Sequence, residues 1–333
     1  MSKNNIKIAL LLGGTSPERN VSKSSGKSIL EAIRRLGYEV RVIDPAYGIN
    51  QPDNDEAFFA EKDYTELSNR NYVEVINSTY FDDIDLAFIA LHGKWGEDGT
   101  IQSLLELRGI KYTGSGVLAS SLSMDKAMSK IMFQHFSVKT PKWFLIKNND
   151  SDYGLMKSKI SKFFGYPCVV KPNDEGSTIG LSICKNENEI EPAVKKAFEY
   201  SKSVIIEEYI PGREMTVGVL GQQVLPVLEI KPKHDLYDYE CKYTHGMSEY
   251  EVPATISKET AKHLQSQALL AFNSLGCSSY ARVDFRLAEN GETFCLEVNS
   301  LPGMTSTSLV PKMAKAIGIS FDELIDQIIK NAL

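Results

Sequence analysis

The sequence predicts a mixed fold: a parallel-sheet α/β domain at the N-terminus, then α+β architecture to the end. Three observations carry this. Residues 6–12 are a short unbroken apolar run, the pattern of a buried parallel strand; a glycine turn, a helical stretch and another strand follow, so the chain opens with a βαβ unit. Beyond about residue 115 the pattern changes to short strands mixed with helices and Gly/Pro turns. The length of 333 residues asks for two or three domains, since single domains mostly run to about 100–150 residues.

Taken in order, strand 6–12 leads into the turn Gly13-Gly14-Thr15-Ser16-Pro17-Glu18, a helix over 22–36 ended by Gly37, and a strand over 38–44. Residues 45–70 are polar, acidic and rich in Asn, Asp and Glu, and read as a surface insertion. Strand 85–91 runs into His92-Gly93-Lys94-Trp95-Gly96-Glu97-Asp98-Gly99, where the glycines keep the loop close to another surface. A helix over 100–107 and a strand over 110–113 complete the first domain. Gly114-Ser115-Gly116-Val117-Leu118-Ala119 matches the weak G-x-G-x-x-A dinucleotide pattern, but at the last crossover and without a strand-end acid. Gly26-Lys27-Ser28 resembles the end of a P-loop, yet the earlier glycine is Val21.

The second part has a helix carrying Lys126, strands around 142–147 and 167–172, and then Lys171-Pro172-Asn173-Asp174-Glu175-Gly176-Ser177-Thr178-Ile179-Gly180. A lysine at a strand end followed by a Gly/Ser loop can cover phosphates with backbone N–H groups; an exposed hairpin turn fits the same residues. Strand 204–210 is stopped by Pro211-Gly212, a hinge. Strands over 216–220 and 224–230, a polar segment over 231–248, a helix over 258–275, a hairpin and two helices close the chain.

That hairpin, within 281–309, is the most informative stretch. Two alternating runs flank Asn290-Gly291, the strongest local signal for a two-residue turn. In that register Asp284 faces Glu297 and Arg282 faces Asn299, while Val283–Val298, Phe285–Leu296 and Leu287–Phe294 pair on the apolar side. Opposed carboxylates about 5 Å apart repel and want a cation between them. With Asn299 as a third oxygen, the set suits Mg²⁺ completed by phosphates and water. Hydroxyls over 305–308 then precede a helix starting near Leu309, and a helix N-terminus attracts anions.

Composition excludes several classes. Hydrophobic residues at 42% and charged residues at 24% are ordinary for a soluble protein, and a net charge of −6 gives no footprint for nucleic acid. The five cysteines are scattered without a C-x-x-C pair and read as reduced cysteines of a cytosolic protein. No signal segment is expected, and no apolar run reaches the roughly 20 residues a membrane span needs.

Eight blocks in order then resemble the D-alanine–D-alanine ligase family of the ATP-grasp superfamily. They are L-L-G-G-T-S-P-E-R (11–19), L-H-G-K-W-G-E-D-G-T (91–100), Y-T-G-S-G (112–116), S-M-D-K (123–126), V-K-P-N-D-E-G-S-T-I-G (170–180), D-Y-E-C-K-Y (238–243), R-V-D-F (282–285) and E-V-N-S-L-P-G-M-T-S-T-S-L (297–309). Departures are small: Trp95, Ser300 where the family often has Thr, and the lengthened 45–70 segment.

The resemblance implies a three-domain ATP-grasp fold: a Rossmann-like parallel-sheet domain (1–114) binding substrate, a central domain (115–211), and a catalytic domain (212–333). ATP would lie between the last two. It implies Lys126 and Lys171 on ATP phosphates, Glu207 on the adenine amino group, Tyr209 and Ile210 offering backbone, Glu214 on the ribose, and Lys242 on the γ-phosphate. Asp284, Glu297 and Asn299 would hold two Mg²⁺ ions, with Mn²⁺ as the alternative. Glu18 would bind the first D-alanine's ammonium with His92 nearby, and Ser308 with the N–H of Leu309 the second D-alanine's carboxylate. Arg282 and the Gly303 N–H would hold the oxyanion, while Glu18, Ser177 and Tyr243 form a chain over the substrates. A phenolic Tyr243, where D-lactate-using relatives carry Phe, argues for an amine acceptor. The implied activity is ATP-dependent synthesis of D-alanyl-D-alanine for cell-wall peptidoglycan, in a cytoplasmic homodimer. Another ATP-grasp carboxylate–amine ligase, an NAD-dependent oxidoreductase using 114–119, and a non-catalytic nucleotide-binding module stay open as alternatives.

Overall fold

The computed structural model describes residues 6–147, 152–233 and 246–333. The first domain is a four-stranded parallel sheet, order β2-β1-β3-β4, of β1 (Lys7–Leu11), β2 (Glu39–Ile43), β3 (Leu86–Ile89) and β4 (Lys111–Tyr112). Its central strands β1 and β3 are apolar and buried, with helices α1 (Arg19–Arg35) and α4 (Thr100–Arg108) sharing the core. Gly26 sits inside α1, where a Cβ would stand 2.6 Å from Leu12 Cδ2 and 2.8 Å from Leu12 Cβ. The glycine lets the helix lie on the strand end; it is a packing residue, not part of a phosphate loop.

Residues 45–70 are not a loose surface insertion. A turn at Pro45–Tyr47 and the short helix α2 (Asp55–Phe58) bury Ala46, Tyr47 and Phe58, and Asp63 reaches back to Arg19 and Lys23 of α1 at 2.8 and 3.0 Å. The apolar residues are too few to show a period in the sequence, yet the Tyr47 ring packs with those of Phe58 and Tyr64, 6.5 and 6.0 Å away. Helix α3 (Arg70–Ile76) packs beside this turn.

A second sheet, order β5-β8-β6-β7, is antiparallel and comprises β5 (Trp143–Lys147), β6 (Cys168–Pro172), β7 (Ser182–Cys184) and β8 (Ser203–Glu208). Helices α7 (Tyr153–Phe163) and α8 (Ile190–Phe198) share its core. The third sheet runs β12-β11-β9-β13-β14 with β10 on β9, from β9 (Arg213–Leu220), β10 (Gln223–Val224), β11 (Leu228–Pro232), β12 (Ser248–Glu251), β13 (Tyr280–Leu287) and β14 (Thr293–Asn299). Helix α9 (Lys258–Ser274) covers its inner face. Helices α5 (Val117–Met124) and α6 (Lys126–His135) pack with this third sheet through Ala119 and Phe133, and Val138 just past α6 joins them. The closing helices α10 (Leu309–Lys315) and α11 (Phe321–Ala332) join the core of the first domain.

Among the described residues no helix is long and apolar enough to cross a membrane. The four described cysteines are free and buried, and Cys241 lies outside the described residues.

Candidate active site

The hairpin β13–β14 is the floor of the site. Burial alternates along β13, with Val283, Phe285 and Leu287 inward and Arg282, Asp284 and Arg286 on the open face. Asp284 does face Glu297, and Arg282 faces Asn299. Val283 pairs with Val298 as expected, but the other two apolar pairs are corrected: Phe285 pairs with Cys295 and Leu287 with Thr293. The connection is one residue longer than a two-residue turn: Ala288 N–H donates to Glu292 O, Gly291 N–H donates to Ala288 O, and Gly291 has φ 84°. A bulge past Asp284 restores the register by inserting Leu296, whose side chain consequently turns to the cleft beside Glu297.

On this face Asp284 is crowded with donors. Arg282 reaches it from Nε and Nη2, Asn299 donates to Oδ2 at 2.9 Å, and Thr216 of β9 donates to Oδ1 at 2.6 Å. Lys126, first residue of α6, stands 3.6 Å from Glu297 Oε2 and donates to the Glu175 carbonyl at 2.6 Å. Two carboxylates and an amide, side by side on this face with Glu297 lining the cleft, offer oxygen ligands that fit Mg²⁺ provided that phosphate oxygens complete its shell. Among the described residues there is no cluster of three or more His, Cys, Asp or Glu that could hold a metal by itself.

A cleft between the second and third sheets gathers Lys126, Lys171, Glu207, Tyr209, Ile210 and Glu214, with Glu208, Arg286 and Leu296 also on its wall. Glu207 is the buried one of the adjacent pair and lies between two cations: Lys171 Nζ at 2.5 Å and Lys130 Nζ at 2.9 Å. Burial alone would raise its carboxyl pKa; the two lysines outweigh burial and hold it at about 2. Arg286 donates to the carbonyls of Ile210 (3.1 Å) and Gly212 (2.6 Å), pinning the Pro211-Gly212 hinge to the third sheet.

The loop after Lys171 is fastened on two sides. Asn173 caps α6, accepting from Lys126 N–H through its carbonyl (3.0 Å) and from Ala127 N–H through its side chain (2.9 Å). Lys94 of the first domain meets Glu175 at 2.6 Å, and Ser177 donates a hydrogen bond to Glu18. Ser177 and Thr178 hold φ of 50° and 65°, a left-handed conformation that costs non-glycine residues about 1 kcal/mol or more and is kept where surroundings over-determine it. His92 is buried beside Glu97 (3.2 Å) and Ser25 (3.1 Å). Burial disfavours its charged form, but the Glu97 and Glu18 carboxylates more than offset this and raise its pKa.

Ser308 occupies the N-cap of α10, but its hydroxyl does not cap the helix. It turns back to Thr305, accepting from that residue's N–H at 3.0 Å, with Gly303 close by. Leu309 is buried at the first helical position. Lys242 and Tyr243 lie outside the described residues. The dinucleotide-like turn is closed: a Cβ on Gly114 would meet Leu301 at 2.7 Å, and buried Ser115 bonds to Ser278.

Sequence reasoning missed Lys130, Thr216, Leu296, Arg286 and Lys94. A signal existed for Lys130, four residues after Lys126 and so on the same helix face. For Thr216 there was none, since its partner is on a strand 68 residues away.

Comparison with known proteins agrees along the whole chain. Two family models match, described as D-ala D-ala ligase N-terminus over residues 7–115 and D-ala D-ala ligase C-terminus over residues 132–330. A D-alanine–D-alanine ligase of Syntrophotalea carbinolica is 44% identical, covering 98% of this chain and 96% of its own. One from Halalkalibacterium halodurans is 43% identical, with 98% and 99% covered. Among solved structures, the D-alanine–D-alanine ligase of Bacillus anthracis is 32% identical with a TM-score of 0.78, covering 98% and 97%. A second structure of that enzyme is a complex with ATP. The VanG D-Ala:D-Ser ligase of Enterococcus faecalis is 31% identical with a TM-score of 0.83, covering 99% and 100%. With both halves matched and relatives this similar from end to end, the chain belongs to the D-alanine–D-alanine ligase family.

Proposed function

We infer that the protein joins two D-alanines into D-alanyl-D-alanine at the expense of ATP, through an acylphosphate, for peptidoglycan precursors. The observation that carries this is the hydrogen bond from Ser177 to Glu18, which ties the loop after Lys171 to the first domain beside the Asp284–Glu297 face.

A carboxylate is a poor electrophile, because its oxygen is a bad leaving group and its charge repels nucleophiles. The carboxylate of the first D-alanine, held through its ammonium by Glu18, attacks the γ-phosphorus of ATP; ADP leaves and an acylphosphate results. Lys126 and Lys171 offset the phosphoryl charge, and Lys242 joins them in this reading. Asp284, Glu297 and Asn299 would hold two Mg²⁺ ions, whose chemistry is to neutralise the phosphoryl oxygens. Glu207 accepts from the adenine amino group, Tyr209 and Ile210 offer backbone, and Glu214 takes the ribose. The second D-alanine, its carboxylate on Ser308 and the Leu309 N–H, loses a proton through the chain of Tyr243, Ser177 and Glu18. Its amine attacks the acyl carbon, Arg282 and the Gly303 N–H hold the oxyanion, and phosphate departs as the peptide bond forms. The closed loop excludes the water that would otherwise hydrolyse the acylphosphate. His92 orients this wall from behind. We assign the protein to the cytoplasm, which supplies ATP and keeps its cysteines reduced, and to a homodimer, testable by light scattering.

The test is phosphate release from ATP and Mg²⁺ with D-alanine, L-alanine, D-serine, or D-alanine with D-lactate, the products separated by chromatography. One D-alanyl-D-alanine per phosphate is expected. Turnover confined to another amino acid or to D-lactate as acceptor would discard the substrate assignment and leave only the phosphoryl chemistry.

A further inference from the structure

Behind Glu207, on the wall of the nucleotide cleft, lies a buried cation to which the mechanism above gives no role. Lys130 is wholly buried on α6, and its ammonium touches only the Glu207 carboxylate (2.9 Å) and the Thr140 hydroxyl (2.6 Å) among the described contacts. Removing an ammonium from water costs several kcal/mol even after relaxation, and a methionine would fill similar volume without that cost. The charge therefore asks for a reason at the place where it is held.

We propose that Lys130 is a positioning residue that fixes Glu207 as an ionised acceptor on the cleft wall, and so sets a preference for 6-amino over 6-oxo purines. The proposal rests on the reading of Glu207 as the partner of the adenine amino group. Glu207 has one carboxylate oxygen on each lysine: Oε1 on Lys171 and Oε2 on Lys130. Lys171 lines the cleft at the end of β6, so bound phosphates compete with Glu207 for it. Lys130 has no route to the phosphates and stays with Glu207 when Lys171 turns away. An ionised carboxylate accepts from a 6-amino group and repels a 6-oxo group. A buried carboxylate without a cation takes up a proton and can then donate to a 6-oxo group.

Among the described residues, neither cross-strand neighbour of Glu207 is titratable. Its cross-strand partners are Trp143 on β5 and Val169 on β6. The Cys295 thiol of β14 lies near Lys130 and is kept neutral by burial, which pushes its pKa up. The depressed pKa of Glu207 agrees with this double pairing, while burial lowers the pKa of Lys130 and the Glu207 carboxylate partly offsets it.

The test is equilibrium binding of the β,γ-imido analogues of ATP and of inosine triphosphate to the full chain with Mg²⁺, by calorimetry at pH 6 and pH 8. Wild-type protein is expected to prefer the adenine analogue equally at both values. In Lys130→Met that preference falls at least tenfold and more at pH 6 than at pH 8, and Lys130→Arg restores it. Glu207→Gln lowers the preference without pH dependence. If Glu207→Gln leaves the preference intact, the reading of Glu207 as base reader fails. If Glu207→Gln relaxes it but Lys130→Met does not, or if Lys130→Met weakens both analogues equally, the proposal is overturned. Thermal denaturation checks folding. Should Lys130→Met not fold, Thr140→Val removes the lysine's other anchor and is expected to relax the preference about threefold; an unchanged preference then overturns the proposal.

Discussion

Arg282 grips Asp284, two residues further along the same strand, with Nε on Oδ1 at 2.9 Å and Nη2 on Oδ2 at 2.7 Å. A carboxylate of the expected metal pair is thus charge-compensated by the guanidinium expected to hold the oxyanion. Both groups lie on the open face of β13, beside the cleft that Glu297 lines. Donors aimed at a developing oxyanion are typically worth about 3 kcal/mol or more. Arg282→Ala is therefore expected to lower kcat at least a hundredfold, measured as dipeptide formed per second at saturating substrates. A loss under fivefold would refute the role.

The Ser177–Glu18 hydrogen bond spans 159 residues and joins two domains. Glu18→Gln removes the charge opposite the first ammonium and is expected to raise the KM for the first D-alanine at least tenfold. Ser177→Ala leaves that charge but loosens the loop, so phosphate release should exceed dipeptide formation. Unchanged KM in the first variant and a one-to-one ratio in the second would defeat the reading.

Gly26→Ala tests packing against propensity. Alanine favours a helix interior over glycine by about 1 kcal/mol. The new methyl would collide with Leu12 at 2.6 Å, at a buried strand end, and overpacking typically costs about 1–3 kcal/mol. The collision wins, and a net destabilisation of roughly 0–2 kcal/mol is expected in urea unfolding. A clear gain in stability would show that α1 can lift away from the strand.

Glu207 gives a pH signature. Its folded pKa of about 2 lies below the ordinary 4.5, through Lys130 and Lys171 overcoming burial. Its contribution is therefore fully present above about pH 4.5 and is lost as pH falls toward 2. The difference in urea midpoint between wild type and Glu207→Gln should be largest near neutrality and shrink below pH 4.5. A constant difference from pH 7 to 3 would mean that the carboxylate is not ionised by its lysines.

Local periodicity made much of this protein legible. The alternation in β13 placed Arg282, Asp284 and Arg286 on one face, and glycine turns and apolar runs marked most strands within a residue or two. The facing of Asp284 and Glu297 was also correct, although two irregularities lay between them: a longer turn at Gly291 and a bulge at Leu296 that cancel in register. The burial within the polar 45–70 segment was not legible, because Tyr47 and Phe58 are far apart among polar residues and leave no period, yet their rings meet 6.5 Å apart in the core of the first domain.

By itself the sequence determined most strands, the acidic face of the last hairpin and the family, because each is written in residues close along the chain or in ordered motifs. Only the tertiary structure decided that Thr216 supports Asp284, that Lys130 and Lys171 share Glu207, and that Leu296 turns to the cleft. Those depend on sheet order, on which helix covers which strand, and on one inserted residue, none of which a local pattern encodes.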